Sequence, residues 1–416
     1  MRPSSCAVAV SCLLFSVSAC ADRPAPTPEP STPAPIEAPA SIDIAADVRA
    51  ENDFTAELFR NLPDESLNRF ASPASVRQCL TLLYPAARGE TAAEIARALH
   101  LGAPADAMAA LAAEERAFRS AAPTQGGALR IGNRVWTEKT ATLSPSFLAS
   151  LAQAGVATPA ALDFHGAPEA SRTAINQWVA NLTENKIPEI LPPGSITAQS
   201  GVVVSNAVYF RGLFAQRFPA AATAPAYFAN TDGEVVPPKV PTMHLEAELP
   251  FATVGPNKVL ELPYANSTMA LDLVLAPTVR DALALEKTLD AKAFASFTAS
   301  LRKQHVDVML PKFRITQGGS IRPALEALGM RTAFTASADL GGLSSAAPTH
   351  MSDVFHRALI EVDEKGTEAA AATAGGMESG IAPPPATFHA NHTFLFFLRD
   401  TASGRVLLVG RLARVT

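Results

Sequence analysis

"DEKGTEAAAATAGG", residues 363–376, falls between two stretches that read as β-strand, and its reading decides the fold. Before it, "ALIEVD" (358–363) alternates apolar and polar residues; after it, "FLFFL" (394–398) is a short apolar run typical of a buried strand. The quoted segment has almost no side chain to bury and no apolar period. Glu and Ala favour a helix, and Gly375-Gly376 would suit a flexible linker. Against the helix stand a threonine at each end and a strand that leads straight in through Gly366. As a strand, the segment would turn Thr367, Ala369, Ala371 and Thr373 to one face and Glu368, Ala370 and Ala372 to the other. A strand that slides into a closed, packed sheet needs small side chains on its inward face, and the only charge here, Glu368, lies outward. That pattern suits a loop built to become a strand.

The chain has 416 residues, 48% hydrophobic and 18% charged, with a formal net charge of −5. This is ordinary globular composition. No block of Lys and Arg marks a nucleic-acid surface, so no nucleic-acid partner is expected. Of four cysteines, Cys6, Cys12 and Cys20 lie at the N-terminus and only Cys79 in the body, which leaves no pair there for a disulfide.

Residues 1–20 read as a signal peptide, with Arg2 ahead of an apolar run from Ala7 to Val17 that is too short to span a bilayer. The run ends in Val17-Ser18-Ala19-Cys20, which looks like a bacterial lipobox with Cys20 as the lipidated residue. The rival is Ala19-Cys20-Ala21 as an A-x-A site for ordinary export, periplasmic or secreted. Residues 21–41 are Pro-rich and expected to be an extended tether that holds a folded body off a membrane, the lipid being the only membrane contact. Triplets at Asn181, Asn266 and Asn391 would accept glycans only in a eukaryotic secretory route.

The body, residues 42–416, reads as one mixed α+β domain. Its first half is mainly helical. Ser72 is placed as an N-cap before Pro73, and Thr91-Ala-Ala-Glu94 as a capping box. Further helices are expected over 104–119, 168–183 and 282–301, and strands over 201–210, 269–275, 306–310, 358–362, 394–398 and 405–412. The last two strands would be joined by a hairpin connection at 400–404.

Catalytic constellations are thin. There is no G-x-S-x-G and no H-E-x-x-H. Ser300-Leu-Arg-Lys303 matches S-x-x-K without a companion K-T-G and reads as helix surface. His389 and His392 are three apart in a strand-like segment, which puts the rings on opposite faces, and no carboxylate or thiol cluster accompanies them in sequence. No metal, cofactor or enzymatic activity is expected.

The stretch "FHRALIEVDEKGTEAAAAT" resembles the hinge of the serpins, protease inhibitors whose reactive loop inserts into their main sheet. The resemblance runs from about Phe54 to Val415: "FASPASV", "ARGETAAEI", "INQWVANLTENKI" with Trp178, Thr183 and Lys186, "VVSNAVYFRGLF", "LELPYA" with Leu262, Pro263 and Tyr264, "LPKFRI", "LEALGM", "ASADLGGL" and the closing "FLFFLRDTASGRVLLVGRL" follow in family order. Single pieces are weak signals, but so many in order are specific. The chain departs from the family where Phe214 replaces a usual Trp, and Thr393 and Val415 replace usual prolines.

The resemblance implies a serpin fold with three β-sheets, eight or nine helices and an exposed reactive-centre loop at about 364–387. It implies a hinge at Glu364, Gly366, Thr367, Glu368, Ala369, Ala370, Ala371, Ala372 and Thr373, and a sheet-opening region at Ser72, Ser75, Asn206, Phe214 and His356. The implied function is suicide inhibition of a serine or papain-like cysteine protease by a monomer; a carrier or structural role without inhibition is the alternative. In serpins of this loop length the bait residue lies fourteen positions past the hinge glycine. Counted from Gly366, the reactive bond is Gly380–Ile381, with Met377, Glu378 and Ser379 as alternative bait positions. Glycine fills no deep specificity pocket, so elastase-like, subtilisin-like or papain-like proteases are the expected partners.

Overall fold

The computed structural model describes residues 43–63, 67–155, 159–229, 239–344, 350–364 and 384–415. The expected signal peptide with Cys20, the expected Pro-rich tether, the expected hinge from Gly366 to Thr373 and the positions Met377, Glu378, Ser379, Gly380 and Ile381 lie outside the described residues.

The described residues form nine α-helices: α1 (Ile44–Asn61), α2 (Pro73–Thr81), α3 (Gly89–Ala98), α4 (Pro104–Ala121), α5 (Pro145–Gln153), α6 (Pro168–Leu182), α7 (Val279–Lys287), α8 (Ala291–Ala299) and α9 (Arg322–Ala327). Proline stands in the first turn of α2, α4, α5, α6 and α9, where its missing N–H leaves no intrahelical bond unmade. The single helix expected over 282–301 is two helices. Asp290 breaks it: its carboxylate accepts from Ala293 N at 2.7 Å and caps α8 as a fresh helix.

One expected cap is corrected, and a second keeps its position without its cap bond. Thr91 and Glu94 lie inside α3, whose N-cap is Arg88, and they serve a neighbouring segment instead. Thr91 Oγ1 accepts from Asp339 N at 2.9 Å, while Glu94 accepts from Arg331 N at 2.8 Å and Thr332 N at 2.6 Å. Ser72 occupies the N-cap of α2, but its hydroxyl makes no cap bond and donates to Leu407 O at 2.8 Å. Ser300 and Lys303 do not share a helix surface, since Ser300 ends α8 and Lys303 lies in a strand.

The strands are β1 (Arg69–Ala71), β2 (Ala128–Glu138), β3 (Ala160–Leu162), β4 (Val202–Arg211), β5 (Ala224–Ala226), β6 (Val240–Val254), β7 (Asn257–Pro263), β8 (Met269–Leu275), β9 (Arg302–Pro311), β10 (Phe313–Ser320), β11 (Met351–Val362), β12 (Ala386–His389), β13 (Phe394–Asp400) and β14 (Val406–Leu412). One sheet is five-stranded, in the order β10-β11-β4-β2-β3. The other network runs β1-β14-β13-β8-β7-β6-β9-β12, with β5 on β6. It has two lobes, because β6 pairs β9 over Thr242–Phe251 and β7 only from Phe251 to Val254. The five-stranded sheet and these two lobes are the three sheets of the expected architecture.

Alternation sorts the residues of the five-stranded sheet between two cores. Val208 and Phe210 of β4, with Ala358, Ile360 and Val362 of β11, join Phe70, Leu273, Phe394 and Phe396 in the core between the sheets. Ala207 and Tyr209, with Phe355 and Leu359, face the other way and pack under Ile175 and Val179 of α6. Gly132 of β2 admits α6 at close range, since a Cβ there would lie 2.1 Å from Leu182 Cδ2. The sheet is thus covered on both faces, and β4 and β11 are buried along most of their length.

Candidate functional site

The quoted stretch follows β11 in the chain, and β11 has β4 as its neighbour toward the middle of the five-stranded sheet. These pair directly and in parallel, with partners from Met351↔Val202 to Ile360↔Phe210. A segment that leaves Val362 and folds back runs antiparallel to β11, and therefore also antiparallel to β4. Entry between them would replace one parallel pairing with two antiparallel ones, which are slightly more stable per residue.

A polar network crosses this seam. His356 on β11 and Asn206 on β4 are register partners, both buried. His356 Nε2 accepts from Ser72 N at 3.0 Å, so Nδ1 carries the proton and donates to Asn206 Oδ1 at 2.5 Å. Burial drives the imidazole value down to about 3, so the ring is neutral. Ser75 Oγ lies 3.0 Å from Asn206 Oδ1 and 3.1 Å from Ser72 O. The Asn206 amide donates to Ser75 O at 2.9 Å and Asn133 Oδ1 at 2.5 Å. Every polar atom of Asn206 is thereby satisfied. Ser72, Ser75, Asn206 and His356 meet in one cluster that ties α2 to both strands. Sequence reasoning missed Asn133 and its partner Gln78 (Nδ2 to Oε1, 2.9 Å); the only signal for them was polarity at positions that the strand and helix periods bury.

Phe214 lies away from this cluster, at the end of the seam where the loop begins. It is buried and stacks on Tyr264 at 4.9 Å and 18°, while Tyr264 meets Phe210 edge-on at 4.8 Å. Gly212 permits this, since a Cβ there would lie 2.3 Å from the Tyr264 ring. The aromatic group walls a cavity of about 260 Å³ whose other walls include Lys186, Tyr209, Glu361 and Asp363, at the ends of β4 and β11. Glu364 is the one expected hinge residue among those described. Its carboxylate takes Lys312 Nζ at 2.7 Å and Thr223 Oγ1 at 2.7 Å. Burial raises this carboxyl, but the two donors outweigh burial and hold it below the usual carboxylate range. Neither donor is legible from the sequence, since each comes from a distant segment.

The two histidines weighed as a metal pair turn to different partners. His389 Nε2 bonds Asp307 Oδ2 at 2.9 Å, and His392 Nε2 donates to Ala276 O at 2.9 Å. Cys79 is a buried free thiol, 3.4 Å from Ser205 O, with its value pushed up by burial.

The sequence and the fold are similar to those of known proteins. The family model for serpins (serine protease inhibitors) matches residues 49–415. The leukocyte elastase inhibitor of Bos taurus is 33% identical over 374 residues, covering 88% of this chain and 98% of its own length. An uncharacterized serpin-like protein of Thermococcus kodakarensis is 31% identical, covering 97% of each chain. Among solved structures, tengpin, a thermophilic serpin in the native state, superposes with a TM-score of 0.81 at 24% identity, over 92% of this chain and 98% of its own. Uncleaved ovalbumin gives a TM-score of 0.78 at 24% identity, over 89% and 99%. With the family model matched along nearly the whole body, the chain belongs to the serpin family, the serine protease inhibitors.

Proposed function

We propose that the protein is a suicide inhibitor that traps a serine or papain-like cysteine protease as its acyl-enzyme. The target's nucleophile attacks the backbone carbonyl of the bait residue, Gly380 in the counting above. The Gly380–Ile381 peptide bond breaks, an ester or thioester forms at the Gly380 carbonyl, and Ile381 leaves as a free amine. The loop, now free at one end, enters between β11 and β4 faster than water can release the acyl group. It carries the protease with it and distorts the active site.

The observation that carries this reading is the direct parallel pairing of β4 and β11 immediately ahead of a loop of small side chains. An inserted strand gains ladder hydrogen bonds, each worth about 1 kcal/mol net, and converts a parallel pair to antiparallel ones. Against this stands the cost of opening the His356–Asn206 bridge. The chain supplies bait and stored free energy, and no catalytic group.

The elastase-like preference rests on the bait glycine and agrees with the names of the elastase-inhibitor relatives. Export and a lipid anchor at Cys20 rest on the N-terminal pattern alone, and action as a monomer on the family resemblance. The test is to mix the protein with a panel of elastase-, subtilisin-, papain- and trypsin-like proteases and look for a complex that survives a denaturing gel. Mass spectrometry of the released C-terminal fragment then identifies the bait: a start at Ile381 supports Gly380, and a start at Glu378 points to Met377. Cutting of the loop by every protease with no stable complex would instead favour the non-inhibitory alternative.

A further inference from the structure

A group of charges that the seam does not use lies where α1, α2 and α4 meet the start of β14. Its members are Asp47 and Glu51 of α1, Arg77 of α2, Glu114 of α4, and Arg405 just ahead of β14. Glu51, Arg77, Glu114 and Arg405 are each at most 3% exposed. Arginine keeps its charge in proteins, so two cations face three carboxyls. With all three ionised, the cluster would bury one unmatched negative charge, and a group in that position takes a proton instead.

The bonds single out one carboxyl. Asp47 serves both cations: Oδ1 accepts from Arg77 Nη2 at 2.9 Å and Oδ2 from Arg405 Nη2 at 2.7 Å. Glu51 Oε2 accepts from Arg405 Nη1. Arg77 directs its Nε to Leu99 O at 3.0 Å. What remains for Glu114 is Arg77 Nη1, 3.9 Å from Oε2 and beyond hydrogen-bond reach. Glu114 Oε1 has no partner among the described residues. Burial pushes the Glu114 carboxyl up to about 8 against the pull of Arg77, with repulsion from Asp47 and Glu115 adding to it. The two bonded cations hold Asp47 low against its own burial. Of the other groups packed on α4, Glu115 lies 3.6 Å from Arg119 on the same helix and Tyr84 gives its hydroxyl to Gly102 O at 3.1 Å. α5 carries no titratable side chain.

We propose that Glu114 is the carboxyl that keeps its proton at neutral pH, and that this proton docks α4 on α2, so that its loss in mild alkali loosens α4. Gln78 of α2 faces the same carboxyl, and its Oε1 accepts from Asn133, so the dock adjoins the amide chain that reaches Asn206. The sign follows from the raised carboxyl. The unfolded chain gives up this proton near the ordinary value of 4.5 and the folded chain only at about 8. Stability therefore falls as pH rises through that window and levels off above it. His356 acts in the opposite sense below 6.5, so Glu114 is compared from pH 7 upward. The inference holds whether or not the protein traps a protease.

Infrared difference spectra of the folded protein between about pH 7 and about pH 9 read the proton directly. The wild type should lose one protonated-carboxyl band and gain a carboxylate band, with a midpoint of about 8. Glu114→Gln, a neutral group of the same shape, should abolish that change. Glu51→Gln removes the other carboxyl with an unpartnered oxygen and should leave it intact. Hydrogen exchange of peptides within Pro104–Ala121, corrected for intrinsic exchange, reads the dock. Wild-type protection should fall about tenfold over the same range, and that of Glu114→Gln should stay level. A wild-type spectrum with no carboxyl titrating near 8 would overturn the proposal with no variant needed. So would a band change that survives in Glu114→Gln or vanishes in Glu51→Gln, or a loss of α4 protection equal in wild type and Glu114→Gln.

Discussion

His356 Nδ1 lies 2.5 Å from Asn206 Oδ1, across the seam between β11 and β4, at residues that are also backbone register partners. The sheet is therefore closed by a side-chain bond at the place where a new strand would have to enter. The second bond at this ring, from Ser72 N to Nε2, depends on a neutral imidazole, because Nε2 must accept it.

The protonation state gives the first prediction. Burial holds His356 in the fold at about 3, well below the ordinary imidazole value of 6.5. A group depressed in this way contributes stability that is fully present above the unfolded value and is lost as pH falls toward the folded one. Between about pH 7 and about pH 4 the loss reaches the order of a few kcal/mol. Urea unfolding of the intact protein across that range should show the acid slope, and His356→Asn, which does not titrate, should remove most of it. An acid slope equal in the two proteins would mean that other groups set it.

Thr393 gives the second. It is fully buried, and its Oγ1 finds no hydrogen-bond partner among the described residues. The family resemblance expects proline there, so nothing in the fold calls for a hydroxyl. Thr393→Val keeps the shape and removes a stranded polar atom, and should stabilise the protein by about 1 kcal/mol. Thermal melting of the variant checks this, and a lowered midpoint would reveal a partner for the hydroxyl.

Much of this was legible in the chain because local pattern and tertiary role agree. β8 begins and ends where its apolar run does, and Pro104 and Pro168 mark the starts of α4 and α6. The pattern failed where polar side chains serve remote partners. Thr91 and Glu94 look like a capping box but bond Asp339, Arg331 and Thr332. β9 was read too short because its exposed start, Arg302 to His305, has no apolar alternation. β2, placed between β4 and β3, was missed although Leu129, Ile131 and Val135 alternate with polar residues. Of the site, Ser72, Ser75, Asn206 and His356 came from family resemblance. Asn133, Lys312 and Thr223 arrive from segments far away in sequence, and only folding brings them in.

The third prediction concerns the hinge. Read as an inserted strand, the quoted stretch would turn Thr367 to the same face as Ala369, Ala371 and Thr373. Thr367→Arg would bring an unpaired charge into the sheet, at a cost on the order of several kcal/mol. The variant should be cut in the loop by the cognate protease and form no stable complex, with its own melting point little changed. An undiminished yield of complex on a denaturing gel would count against entry of this face.

The fourth concerns the N-terminus. If Cys20 carries lipid, Cys20→Ser should move the protein from the membrane fraction to the soluble one. Its spacer, extended at ~3.1 Å per residue, would hold the domain tens of ångströms from the bilayer. A wild-type protein already soluble and beginning at Asp22 would establish simple export after A-x-A cleavage.

The central claim is that the cut loop becomes a strand between β4 and β11, and a structure of the loop-cleaved protein tests it most directly. In the uncut chain Ala358 and Val208 are direct cross-strand partners. Insertion should part them to two strand spacings, about 9.5 Å, with residues 367–373 hydrogen-bonded to both sides, six strands in the sheet and a melting temperature well above that of the uncut protein. If Ala358 and Val208 remain partners after cleavage and the melting temperature does not rise, the loop is an ordinary exposed linker and the trapping account is wrong.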